Sequence, residues 1–134
     1  MGIRQELDEN FDEEIVEDFV DHYTVMIGVV ESLILGLNNP YMYRDNVNEL
    51  FRTFHTIKSA TAYLKIDSMQ RLSAYVEEVL EILRNREEVA SQEVINWFLG
   101  ISAMYLQWRD DLNEDGELSK IHYKLLILPD LESV

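Results

Sequence analysis

"EEIVEDFVDHYTVMIGVVESLILGLNNP", residues 13–40, sets its apolar side chains three and four positions apart. Ile15, Phe19, Tyr23, Met26, Ile27, Val30, Leu33, Ile34 and Leu37 fall on one side of a helix with 3.6 residues per turn. Asn10 and Glu13 read as a capping box at its start. Asn38-Asn39-Pro40 stops it, because the residue before a proline is pushed out of the α region. The helix so defined is about 26 residues long, or roughly 40 Å at 1.5 Å per residue. A helix of that length with a single apolar side needs partners of similar length.

The rest of the chain supplies them. A second helix, about 43–64, places Val47, Leu50, Phe51, Phe54, Ile57, Thr61 and Leu64 on one face. Asp67 and Gln70 form a second capping box, opening a third helix, about 68–86, with Met69, Leu72, Val76, Val79, Leu80 and Leu83 inward. Ser91 caps a fourth, about 92–113, carrying Val94, Trp97, Phe98, Ile101, Met104, Tyr105 and Trp108. Gly116 closes that region, and "ELSKIHYKLLIL" makes a short fifth element through Leu118, Ile121, Leu125 and Leu128. No strand-like alternation persists anywhere. Short connections between long amphipathic helices make neighbours antiparallel. The expected fold is all-α: one domain over residues 1–134, an up-down four-helix bundle at about 11–113 and a C-terminal helical extension at about 117–128.

Composition narrows the function classes. A chain of 134 residues buries roughly two-thirds of its unfolded surface and needs no staple. It has no cysteine, hence no disulfide and no thiolate metal site. The acidic start "MGIRQELDENFDEE" has no apolar run of a signal peptide. The most apolar run, Val25–Leu37, contains Glu31 and is too short to span a bilayer. A cytoplasmic monomer away from membranes is expected. The net charge of −15 argues against nucleic acid, whose phosphates need clustered Lys and Arg. The charge is uneven: residues 1–40 carry net −9 and residues 87–134 net −7, whereas residues 41–86 carry net +1.

The usual reactive templates are missing. A di-iron bundle requires Glu-x-x-His, but Phe19, Arg52 and Ser119 stand three residues before His22, His55 and His122. Asp18 and His22 are four apart and read as a solvated pair. There is no phosphate-cradling glycine loop, nucleophile elbow or kinase-type nucleotide motif. No metal and no cofactor is expected, and no catalytic centre of the chain's own.

The segment near neutrality contains "FRTFHTIKSATAYL", residues 51–64. On the helical wheel His55 lies about 110° from the centre of the apolar face, at the border of the exposed side. Phe51 and Arg52 lie one turn behind it, Lys58, Ser59 and Ala62 ahead. Small residues around a reactive side chain let another protein's surface come within bonding distance. A neutral imidazole has a free ring-nitrogen lone pair and is a competent nucleophile. Lys58 is placed to meet the charge of an incoming phosphoryl group. A plain surface histidine on a helix tolerant of Ser and Ala fits the same geometry.

"ELFRTFHTIKSATAYLKID" resembles the phosphoacceptor helix of histidine phosphotransfer (HPt) domains, especially the N-terminal HPt domain of chemotaxis-type histidine kinases. The family pattern runs roughly Leu-Phe-Arg-x-Phe-His-Thr-Leu-Lys-Gly-Ser-Ala-x-x-Leu-Gly. Leu50, Phe51, Arg52, Phe54, His55, Thr56, Lys58, Ala60 and Leu64 match it, and Ile57 replaces a leucine. The likeness extends in helix order over residues 11 to about 112. It implies phosphorylation of His55, docking of partners over Phe51, Arg52, Ser59 and Ala62, and onward transfer to an aspartate of a response-regulator receiver domain. A histidine kinase or a phosphorylated receiver would be the donor. In chemotaxis-type relatives a glutamate on the next helix holds the ring nitrogen that is not phosphorylated, and Glu77 matches that position; Glu78 is less well aimed. Ser59 and Lys65 stand where the family has glycines, and Ala74 where those relatives often have a histidine. Ser59 keeps the docking face small, and Lys65 reads as a solvated loop residue. Two other functions fit the same residues: the phosphoacceptor piece of a longer chemotaxis-type kinase, and a receiver-binding adaptor that is never phosphorylated.

Overall fold

A computed structural model describes residues 2–131. Five α-helices follow one another: α1 (Ile3–Asn10), α2 (Glu13–Leu35), α3 (Tyr43–Tyr63), α4 (Asp67–Arg84) and α5 (Gln92–Glu114). A 3-10 turn, Gly36–Asn38, extends α2, and another, Tyr123–Leu126, is the short C-terminal helix. That C-terminal turn is held by Leu125, which is buried and whose carbonyl accepts from Trp97 Nε1 at 3.0 Å.

Contacts between sequence-distant residues fix the direction of each helix. Phe11 meets Tyr63 while Asn46 reaches the Leu33 carbonyl, so α2 and α3 are antiparallel. Tyr43 bonds the Leu83 carbonyl while His55 meets Glu77, which makes α3 and α4 antiparallel. Ala90 donates to Leu37 while Asn113 reaches Thr24, so α2 and α5 are antiparallel as well. The four long helices form an up-down bundle.

The core stripe of α2 is Val16, Phe19, Val20, Tyr23, Ile27, Val30 and Ile34. Ile15, expected inside, is exposed; Val16 and Val20 take the inward positions because the stripe drifts by less than a full residue per turn. Together with its 3-10 extension, this helix is 26 residues long and contains an 18-residue stretch with a mean hydropathy of 1.4, enough to cross a membrane by length and composition alone. Val25–Leu37 is the most apolar part of this helix; residues 13–24 before it carry Glu13, Glu14, Glu17, Asp18 and Asp21. In the bundle Ile27, Val30, Ile34 and Leu37 of that apolar part are core, while Val25, Val29 and Leu35 are exposed.

Two expected caps are different in the structure. Asp12, not Asn10, caps α2, accepting from the Glu14 amide at 2.9 Å. Asn10 ends α1 instead, donating to the Glu6 carbonyl. The N-cap of α4 is Ile66, with no side-chain bond, and Asp67 is already helical. Ser91 caps α5 as expected. Helix α1 was not foreseen: its eight residues are mostly polar, and only Leu7 is buried.

The bundle centre is aromatic. The Phe54 and Tyr105 rings meet edge to face at 5.1 Å, as do those of Tyr105 and Trp108. Tyr23 donates to the Tyr105 carbonyl and Tyr105 pairs with Ser73, both at 2.6 Å. Burial raises the Tyr105 hydroxyl far above its ordinary range, although Ser73 works the other way. It therefore stays a neutral hydrogen-bonding group.

Candidate functional site

Helices α3 and α4 pack against each other along their full length, and the site lies across their outer groove. His55 and Lys58 are one turn apart on α3, and Glu77 faces them from α4, one residue past buried Val76. His55 Nδ1 lies 3.1 Å from Glu77 Oε2. Lys58 Nζ lies 3.0 Å from the same carboxylate. The three side chains are 56%, 31% and 17% exposed for His55, Lys58 and Glu77 respectively.

The Glu77 carboxylate is the hub. Burial favours its neutral form, but hydrogen bonds and charge from Lys58 and His55 outweigh burial and hold it below the ordinary carboxylate range. An ionised carboxylate only accepts hydrogen bonds, so the His55 nitrogen facing it carries the proton. Nε2 is left with its lone pair on the exposed side of the ring. Glu78 is exposed, one position further round α4, and pairs with neither residue.

Around this triad, Phe51 lies parallel to the His55 ring, with an interplanar angle of 7° and centroids 6.3 Å apart. Arg52 is exposed and pairs with Glu49 at 2.9 Å. Ser59 and Ala62 are exposed on the turns ahead of the histidine, leaving that face low. Phe51, expected in the core, is only partly buried, and its outer face is covered by the Arg84 guanidinium at 4.4 Å. Arg84 was not singled out from the sequence. Its spacing of seven from Glu77 was a usable signal, since two turns return to the same face of α4.

Lys65 is exposed with φ of 58°, one of the two non-glycine residues in the left-handed region among those described. It occupies the turn after α3, where Ile66 donates to the Thr61 carbonyl and Lys65 to Ala62. This is a Schellman ending, which favours glycine at the Lys65 position. Ser59, the other replaced glycine, is ordinary helix and loses nothing in backbone terms.

The other histidines have different surroundings. His22 is exposed on α2, and His122 accepts from the Lys124 amide at the C-terminal turn. Among the described residues no group of three or more His, Asp or Glu is placed to hold a metal.

Residues 14–115 match the model of the Hpt domain family. Two curated relatives are both named chemotaxis protein CheA. The one from Treponema pallidum (strain Nichols) is 28% identical over 87 residues, covering 65% of this chain and 11% of the relative. The one from Borreliella burgdorferi (strain ATCC 35210 / DSM 4680 / CIP 102532 / B31) is 21% identical over 125 residues, covering 88% of this chain and 14% of the relative. The chain thus spans less than a sixth of either relative's length. No solved structure matches it. With most of its length matched, this chain belongs to the Hpt domain family and is a histidine phosphotransfer module of the phosphorelay type.

Proposed function

We propose that His55 is the phosphoacceptor and that the chain carries a phosphoryl group on it from a histidine kinase or phosphorylated receiver to a receiver aspartate. The observation that supports this reading best is the tie between His55 Nδ1 and Glu77, which leaves Nε2 free on an open, low face. In the loading step the Nε2 lone pair forms the P–N bond. The P–O bond to the donor breaks, and its electron pair stays on the donor oxygen. The ring becomes cationic, and its Nδ1–H is stabilised by the Glu77 carboxylate. Lys58, one turn away, offsets the charge of the phosphoryl oxygens. Unloading reverses this: a receiver carboxylate attacks phosphorus, and the P–N electron pair returns to Nε2. Ser59 and Ala62, with Phe51 and Arg52, form the surface on which partners sit. The module works as a monomer in the cytoplasm, and the catalysis of each step comes from the partner.

Incubation with a panel of phosphorylated receiver domains tests the reading. Acid-labile phosphate appearing on the chain supports it, and a chain left unlabelled by every donor contradicts it. A second reading, in which this domain is the phosphoacceptor part of a longer chemotaxis-type kinase, is favoured by the names of both relatives and the small share of them it covers. The length of the parent reading frame distinguishes the two.

A further inference from the structure

Arg44, Asn48, Phe51, His55 and Lys58 are spaced four, three, four and three apart, so they form one stripe along α3. Glu77, Glu81 and Arg84 form the matching stripe on α4. The groove between them therefore runs on from the phosphoacceptor toward the start of α3, about 16 Å for the eleven residues back to Arg44. It ends in a cavity of about 260 Å³ lined by Arg44, Asn48, Glu81, Arg84, Asn85 and Arg86, with Tyr43 and Val47 at its base. That is smaller than a typical cofactor pocket and suits one or two side chains.

The lining holds three guanidinium groups against the one carboxylate of Glu81. Glu81 is committed to Arg84 at 3.2 Å, and Arg86 pairs with Glu88 at 3.4 Å. Arg44 makes no ion pair with any described residue and is exposed. The Asn48 side chain brings a further donor, while the Asn85 amide donates to the Glu81 carbonyl at 2.9 Å. This cationic end belongs to a chain whose flanking segments carry net −9 and −7. An acidic protein is repelled by those segments, and the cationic groove end offers it a place of opposite charge.

We propose that this groove end anchors a carboxylate-bearing segment of the receiver domain that exchanges phosphate with His55. The proposal rests on the phosphotransfer reading above. A receiver must present the acceptor carboxylate at His55, and a second carboxylate seated at Arg44 fixes its rotation about that point. Opposite charges across such a contact mainly raise the encounter rate and set orientation. The anchor thus acts on binding and leaves the chemistry to His55, Lys58 and Glu77.

The test uses a phosphorylated receiver that labels the wild-type chain, with initial rates followed against receiver concentration at low and high salt. Arg44→Glu raises the half-saturating concentration at least about fivefold at low salt, with the saturated rate within about twofold of wild type. Arg44→Gln gives a smaller rise, and high salt closes the gap for both. Unaltered melting of both variants ties the effect to docking. A half-saturating concentration equal to wild type overturns the proposal, and so does a fall confined to the saturated rate. Inorganic phosphate provides a separate arm. If it shifts the groove amides of the wild-type chain in NMR while Arg44→Glu exchanges normally, the cavity takes small anions and the docking assignment is overturned. Failure of the wild-type chain to accept phosphate at all is a different result, and it counts against the phosphotransfer reading itself.

Discussion

At the scale of single residues, the site divides its labour between two side chains that touch the same carboxylate or carry it. In the proposed phosphotransfer, Glu77 acts on the unphosphorylated ring by keeping the proton on Nδ1, the nitrogen it contacts at 3.1 Å. In the same proposal Lys58 acts on the loaded state, in which a phosphoryl group would add close to two negative charges to a chain already at −15. Lys58→Ala is therefore expected to slow phosphorylation with a penalty that shrinks as salt rises. Glu77→Ala is expected to slow it with little salt dependence and to mix the two ring tautomers of His55. Transfer rates at two salt concentrations and ¹⁵N shifts of the ring check both expectations. Glu77 also links the site to pH. Its folded-state pKa lies below the ordinary 4.5, so its ion pairs add stability above that value. That stability fades as pH falls through the lowered pKa. Glu77→Gln removes this contribution, and acid titrations of the two proteins should converge once pH has fallen below the lowered pKa of Glu77.

At the scale of elements, the amphipathic spacing made four helices legible to within a few residues. What spacing alone could not reveal was how their ends are tied. The side chain of Asn10 resembles a cap, yet it turns back to Glu6 because a separate helix, α1, precedes it. The ending of α3 was readable only as a departure from the family pattern: Lys65 replaces a glycine, and its positive φ explains why glycine is favoured there. Lys65→Gly should raise stability by up to about 1 kcal/mol, read from chemical denaturation, because it relieves the left-handed strain. The exposed turns ahead of His55 have the opposite sensitivity. Ser59→Arg or Ala62→Trp should change stability by less than about 0.5 kcal/mol while cutting phosphate exchange with a receiver. Wild-type exchange rates in either variant would mean that partners do not sit on this face.

At the scale of the whole molecule, the sequence carried the histidine, its lysine and its glutamate because helical periodicity brings i and i+3 together and the family pattern points to the next helix. It did not carry the Arg84 contact or the cationic end of the groove, since these depend on the packing of α3 against α4. The bundle provides an aromatic centre, and in the proposal the cationic end of the groove takes an acidic partner. The whole account depends on a single nitrogen, Nε2 of His55. The most direct measurement is phosphodonor labelling of His55→Gln beside wild type, with helical content checked by circular dichroism. The account predicts complete loss of acid-labile phosphate with unchanged helicity. Labelling that persists in the folded variant would contradict it.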